Sequence, residues 1–183
     1  RLLYEKDSSR QSLIASTTKI MTALLVCERC NVLDQMLIPK AAVGFEGSSM
    51  YLKEGERLSV QELLYGLMLC SGNDAALVLA EACGGQQRFV RLMNDLAAEI
   101  GMDSSHFENP NGLDGKEHYS TARDMAKRAV YASAQPVFMR ICSTSTAQTA
   151  GRSMKNHNRL LRELEGCIGM KTGYTKAAGR TLV

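Results

Sequence analysis

From Thr17 to Cys30 the apolar residues Ile20, Met21, Leu24, Leu25 and Cys27 recur at three- and four-residue steps, the spacing of one face of an α-helix. The same period returns over Leu63, Leu64, Leu67 and Met68, with Ser59 placed to cap that helix. Ser71-Gly72-Asn73-Asp74 interrupts it, and Ala75 to Cys83 resumes it until Gly84-Gly85. Gln86 to Ile100 carries Phe89, Leu92, Met93, Leu96 and Ile100 on one face, with Gly101 as its stop. Ser120 followed by Arg123-Asp124 predicts a further capped helix to Ala134, ended before Pro136.

The pattern changes towards the ends of the chain. Leu2-Leu3-Tyr4-Glu5 reads as the end of a strand and Asp7-Ser8-Ser9-Arg10 as a turn. Pro39 to Glu56 is loop-rich, with Gly44, Gly47 and Gly55, and Asn109 to Gly115 is a cluster of turn formers. Thr144 to Thr149 reads as extended. Ile168 to Thr172 and Arg180 to Val183 read as a strand pair around the turn-rich stretch Tyr174 to Gly179. With no linker, repeat or low-complexity segment, residues 1–183 are expected to form one α+β domain.

Composition narrows the function. A chain of 183 residues can bury a real core, and 45% apolar with 22% charged residues is ordinary for a globular protein. A net charge of +3 without any Lys/Arg block argues against a nucleic-acid partner. No apolar run is long enough for a transmembrane helix, and neither a signal peptide nor an initiator Met is present. The chain is therefore expected to be a processed or trimmed piece of an exported protein, meeting a membrane only through a segment outside it. Cys27-x-x-Cys30 sits within a helical pattern and has no second pair to complete a metal site. The six cysteines are expected to be mostly free thiols, and neither metal nor cofactor is expected.

Three short motifs change the picture. Ser16-Thr17-Thr18-Lys19, Ser71-Gly72-Asn73 and Lys171-Thr172-Gly173 follow one another with about 55 and 100 residues between their heads. A lone S-x-x-K occurs by chance about once in a chain of this size, so the order and the rarer K-T-G carry the weight. Ser16 falls at the start of the first helix and Lys19 one turn later on the same face, within reach of the hydroxyl. A serine hydroxyl needs a base, and no Ser-His-Asp set is evident because His106, His118 and His157 lie in polar loops. Lysine serves as that base only when burial or a neighbouring cation lowers its pKa, and Lys171 can be the neighbour. Ser, Gly and Asn also favour a plain helix-break turn, the structural alternative for residues 71–73.

This set resembles the S-x-x-K, S-D-N and K-T-G signature of β-lactamases and penicillin-binding proteins, with Gly72 in place of Asp. The wider text resembles the serine D-alanyl-D-alanine carboxypeptidases of peptidase S11 type, the low-molecular-mass penicillin-binding proteins. The likeness is carried by Ala15 to Ala23, Gly47 to Leu52, Leu67 to Ala76, Asn109 to Asp114, His118 to Ala122 and Lys171 to Thr175. It runs from about Leu3 to Val183.

The resemblance implies an antiparallel sheet packed with helices beside an all-helical lobe, the site lying between them. It implies Ser16 as nucleophile, Lys19 as base and Ser71 as proton relay. Asn73 is expected to bind the substrate backbone and orient Lys19, and Lys171 to hold the peptide's terminal carboxylate. Thr172 adds a hydroxyl, Gly173 lets substrate pair with the strand, and the N–H groups of Ser16 and Tyr174 form the oxyanion hole. The implied substrate is the peptidoglycan stem peptide, with β-lactams as covalent inhibitors and a cell-envelope location. The family continues past K-T-G with further strands and a helix, so a sheet ending at Val183 is expected to lack its last strands. A β-lactamase-like hydrolase and a non-catalytic penicillin- or wall-binding module are the rival readings. His118 is expected to be structural. Glu108 is discounted as a deacylating base, because Gly112 stands where that pattern needs Asn.

Overall fold

Helix α1 (Lys19–Arg29) is buried along its length from Lys19 to Val26. Its apolar side chains point all round, as a helix surrounded by others requires. In the computed structural model, which describes residues 2–183, it packs against α2 (Val60–Leu69), α3 (Asn73–Ala82), α4 (Gln86–Glu99), α5 (Ala122–Ser133) and α6 (Pro136–Cys142). Their buried side chains form one continuous cluster.

Local sequence sets the helix ends. Ser59 and Glu62 make a reciprocal capping box at the start of α2: Glu62 N–H donates to Ser59 Oγ and Ser59 N–H to Glu62 Oε2. The cap of α5 is Thr121, whose Oγ1 accepts from Asp124 N–H at 3.1 Å, so the helix starts one residue later than Ser120 suggests. Pro136 does not merely end α5. It opens α6 from the first position, where its missing N–H costs nothing. A four-residue helix, α7 (Leu160–Glu163), was not expected.

The strands form three separate antiparallel pairs: β1 (Gln35–Leu37) with β2 (Arg57–Ser59), β3 (Thr146–Thr149) with β4 (Arg152–Lys155), and β5 (Thr172–Thr175) with β6 (Gly179–Leu182). The first pair flanks the stretch Pro39 to Glu56 read as loop and went unread, because three-residue strands leave too little alternation to detect. In β5, Tyr174 and Thr175 belong to the strand and not to the turn. Tyr174 pairs with Arg180, and the turn is closed by Ala178 N–H donating to Thr175 Oγ1 at 2.9 Å. Bonds from Met170 and Lys171 N–H to Val183 O continue the ladder backwards. Ile168, expected in this strand, is exposed in the loop before it.

Residues 2–5 correct another expectation. They form no strand, and Leu3 is 86% exposed. A strand persists only where a neighbour takes its backbone hydrogen bonds, and none of the described residues pairs with this segment.

Candidate active site

Three elements converge on one cleft. A 3-10 turn, Ala15–Thr18, leads into α1 and presents Ser16. The break between α2 and α3 presents Ser71 and Asn73. The hairpin β5–β6 packs against the 3-10 turn and forms the opposite wall. The cleft encloses about 850 Å³ and is lined by Ser16, Ser48, Ser71, His157, Arg159, Thr172, Gly173, Tyr174 and Thr181, among others.

Lys19 lies at the centre of the polar network and is fully buried. Its Nζ is 3.0 Å from Ser16 Oγ and 2.7 Å from Asn73 Oδ1, and it also bonds the Asn111 carbonyl. The Asn73 amide is fixed by its own donor, Nδ2 to Glu46 O at 2.8 Å, so its oxygen faces the lysine. Asn73 Oδ1 and the Asn111 carbonyl can only accept. A neutral amine satisfies both with its two N–H bonds and keeps its lone pair for the Ser16 hydroxyl proton. Burial, and after it the charge of Lys171, holds the Lys19 pKa well below the usual lysine value, while Asp74 opposes this. The environment therefore favours the neutral form that the geometry calls for.

Lys171 is the second buried amine. Its Nζ donates to Ser71 Oγ at 3.0 Å and to Thr172 O at 2.8 Å. Burial pulls its pKa down to about 7. Ser71 itself sits at φ 60°, a left-handed conformation rare for a non-glycine residue. That kink between two helices turns its hydroxyl to the lysine.

The serine turn is held by close backbone approaches. A Cβ on Gly112 would sit 2.0 Å from Ala15 O and 3.0 Å from Ser16 N. A Cβ on Gly173 would sit 2.8 Å from Ser16 N and 2.5 Å from Thr181 Oγ1. Only glycine lets the 109–115 turn and strand β5 come this near to the backbone of Ala15 and Ser16. Thr181 Oγ1 donates to Ile14 O at 3.1 Å, and Thr175 Oγ1 to Asp114 Oδ1 at 2.8 Å, tying the hairpin to both neighbours.

The other candidates fall as follows. Thr172 and Gly173 line the cleft beside Ser16, and Tyr174 projects its ring outward, 65% exposed. His118 is buried between Glu108 N–H, which donates to Nδ1 at 3.0 Å, and Thr18 Oγ1, 2.8 Å from Nε2. Its proton therefore sits on Nε2, and burial lowers its pKa to about 4. Glu108 is exposed beside α4, away from the cleft lining.

Sequence reasoning overlooked four contributors. The Asn111 carbonyl acts through backbone, so side-chain chemistry gave no signal beyond the turn-forming text around it. Asp74 accepts from Ser49 Oγ, Met50 N–H and Leu52 N–H, fixing the loop beside Ser48. His157 and Arg159 line the cleft from a segment without periodicity. Among the described residues no group of His, Cys, Asp and Glu is placed to hold a metal, and no helix is long and apolar enough to cross a membrane.

Comparison with known proteins places this arrangement. The model of the Peptidase S11 family, D-alanyl-D-alanine carboxypeptidase, matches residues 1–183. D-alanyl-D-alanine carboxypeptidase DacB2 of Mycobacterium tuberculosis is 37% identical over 100% of the chain and 65% of its own length. DacF of Bacillus subtilis is 35% identical over 97% of the chain and 49% of its own length. Among solved structures, a mutant of the Streptomyces K15 DD-transpeptidase superposes with a TM-score of 0.93 at 35% identity, covering 99% of this chain and 78% of that one. Penicillin-binding protein 6B of Escherichia coli superposes with a TM-score of 0.93 at 34% identity, over 100% and 62%. The chain belongs to the Peptidase S11 family of serine D-Ala-D-Ala carboxypeptidases. It spans about half to two-thirds of the length of the curated relatives named here.

Proposed function

We propose that this chain carries the acyl-transfer site of a D-Ala-D-Ala carboxypeptidase that trims peptidoglycan stem peptides outside the cytoplasm. One observation carries the reading: a buried lysine, Lys19, whose two N–H bonds are claimed by Asn73 and Asn111 and whose remaining valence faces Ser16 Oγ at 3.0 Å.

Lys19 takes the Ser16 proton, and Ser16 Oγ attacks the carbonyl of the penultimate D-Ala. The N–H groups of Ser16 and Tyr174 stabilise the oxyanion. Ser71, bridged to Lys171, relays the proton held by Lys19 to the departing D-Ala amine, which leaves Lys19 neutral again. Lys19 then takes a proton from the water that attacks the ester and returns it to Ser16 Oγ as the acyl group leaves. Lys171 and Thr172 hold the free carboxylate of the substrate. A β-lactam acylates the same serine as a covalent inhibitor.

The test is mass spectrometry of the full-length protein after incubation with penicillin. One penicilloyl group is expected on the tryptic peptide containing Ser16, and Ser16→Ala is expected to carry none. An adduct retained in Ser16→Ala overturns the assignment.

A further inference from the structure

Six thiols take no part in this chemistry, and two of them meet. Cys30 Sγ lies 3.2 Å from Cys83 Sγ. Cys30 closes α1, its N–H bonding Val26 O at 3.0 Å, and Cys83 closes α3, its N–H bonding Ala80 O at 3.2 Å. Both helices start at the cleft, where Lys19 and Asn73 touch, and both end at this sulfur pair. Each thiol is half-buried, so a small reagent can reach the pair.

We propose that Cys30 and Cys83 are a redox-modification site, joined as a disulfide under oxidising conditions, which staples α1 to α3 at the ends remote from the catalytic lysine. The sulfurs need to approach by only about 1 Å to reach bonding distance. The oxidant is a small-molecule or protein disulfide. The Cys30 thiolate attacks one of its sulfurs and releases one reagent thiolate. The Cys83 sulfur then attacks Cys30 Sγ, its proton passes to solvent, and the second reagent thiolate leaves. Two cysteines are oxidised and one reagent disulfide is reduced to two thiols. Burial and the hydrogen bond with Cys30 push the Cys83 thiol up to about 12, which keeps it protonated near neutral pH and makes the second step the slow one. The loop closed by this bond contains the second catalytic motif, so the cross-link limits how far the unfolded chain can separate Ser71 and Asn73 from α1.

The experiment uses the full-length protein, treated with oxidised glutathione, alkylated with iodoacetamide and mapped by non-reducing peptide mass spectrometry. The Cys30 peptide is expected to be joined to the peptide holding Cys83, with fragmentation placing the link at Cys83 and not at Cys70. Dithiothreitol is expected to lower the Tm by roughly 5 °C or more, and Cys83→Ser to remove both the link and this dependence. Alkylation of both thiols, separate glutathione adducts on each, or a link from Cys30 to another cysteine overturns the proposal. A cross-linked protein whose Tm ignores the reductant overturns the stapling role.

Discussion

At the scale of single residues, two buried lysines 152 positions apart divide the labour because their partners differ. Lys19 faces two obligate acceptors and one hydroxyl. Lys171 faces Ser71 and the Thr172 carbonyl. Arginine at position 19 keeps a charge but cannot lose it near neutral pH. Lys19→Arg is therefore expected to slow penicillin acylation at least about 100-fold, measured as the rate of adduct formation. A near-normal rate would show that Lys19 only neutralises charge. For Lys171, pulled down to about 7 by burial, the ammonium of the free enzyme is lost as pH rises through that value. The kcat/KM for a peptide ending in D-Ala-D-Ala should thus fall above about pH 7, because its carboxylate needs the ammonium. The corresponding peptide amide should be cleaved far more slowly below that pH, and the difference should narrow above it. Lys171→Ala should erase most of the acid-over-amide preference. It should also move the acidic limb to higher pH, since the Lys171 charge is the second cause of the low Lys19 pKa. Equal cleavage of acid and amide by the natural enzyme would remove the role given to Lys171.

At the scale of elements, the site depends on where three backbones touch. Gly112 has φ +86°, and its missing Cβ leaves room for the Ala15 carbonyl. Gly112→Ala is expected to cost about 1–2 kcal/mol from the left-handed backbone alone, and to slow acylation at least about tenfold by displacing the serine turn. Ser59→Ala offers the contrast. It removes the α2 cap at about 1 kcal/mol, at the helix end remote from Ser71, so the Tm should fall by roughly 2–4 °C while acylation is unchanged. Matching effects of the two substitutions on acylation would refute the close-approach argument. The same distinction explains what the sequence could and could not reveal. Long amphipathic helices such as α4, and side chains at motif spacing such as Ser16 and Lys19, leave a periodic or chemical trace. The Asn111 carbonyl, the left-handed Ser71 and the three-residue strands β1 and β2 leave none, because backbone position comes from tertiary packing. Pro136 ends α5 as expected, but the helix that it opens left no trace for a related reason. Proline stops the helix before it and also starts the next, and only the fold decides whether a next one follows.

At the scale of the whole molecule, the pKa values of four buried basic groups all move in one direction. Burial lowers Lys19, brings Lys171 to about 7, Arg128 to about 9 and His118 to about 4. A group whose folded pKa is depressed leaves the unfolded chain holding a proton that the folded chain lacks, at any pH between the two values. Stability then rises with pH across that interval. His118 contributes between about 4 and 6.5, and Lys171 between about 7 and 10.5. Buried thiols act oppositely at the alkaline end. Cys27, Cys83 and Cys142 are raised from 9.0 to about 12, so above pH 9 the unfolded chain loses protons first and their contribution to stability declines. Urea midpoints of the full-length protein are thus expected to climb from pH 5 to about pH 9 and then level off, as the thiols offset the buried bases. Lys171→Met should flatten the climb between pH 7 and 9 while leaving the part below pH 6.5, which belongs to His118. A variant whose midpoints keep the natural slope from pH 7 to 9 would show that Lys171 holds its proton in the folded state. In that case the neutral fraction assigned to it, and the pH limit on substrate capture derived from that fraction, would both be wrong.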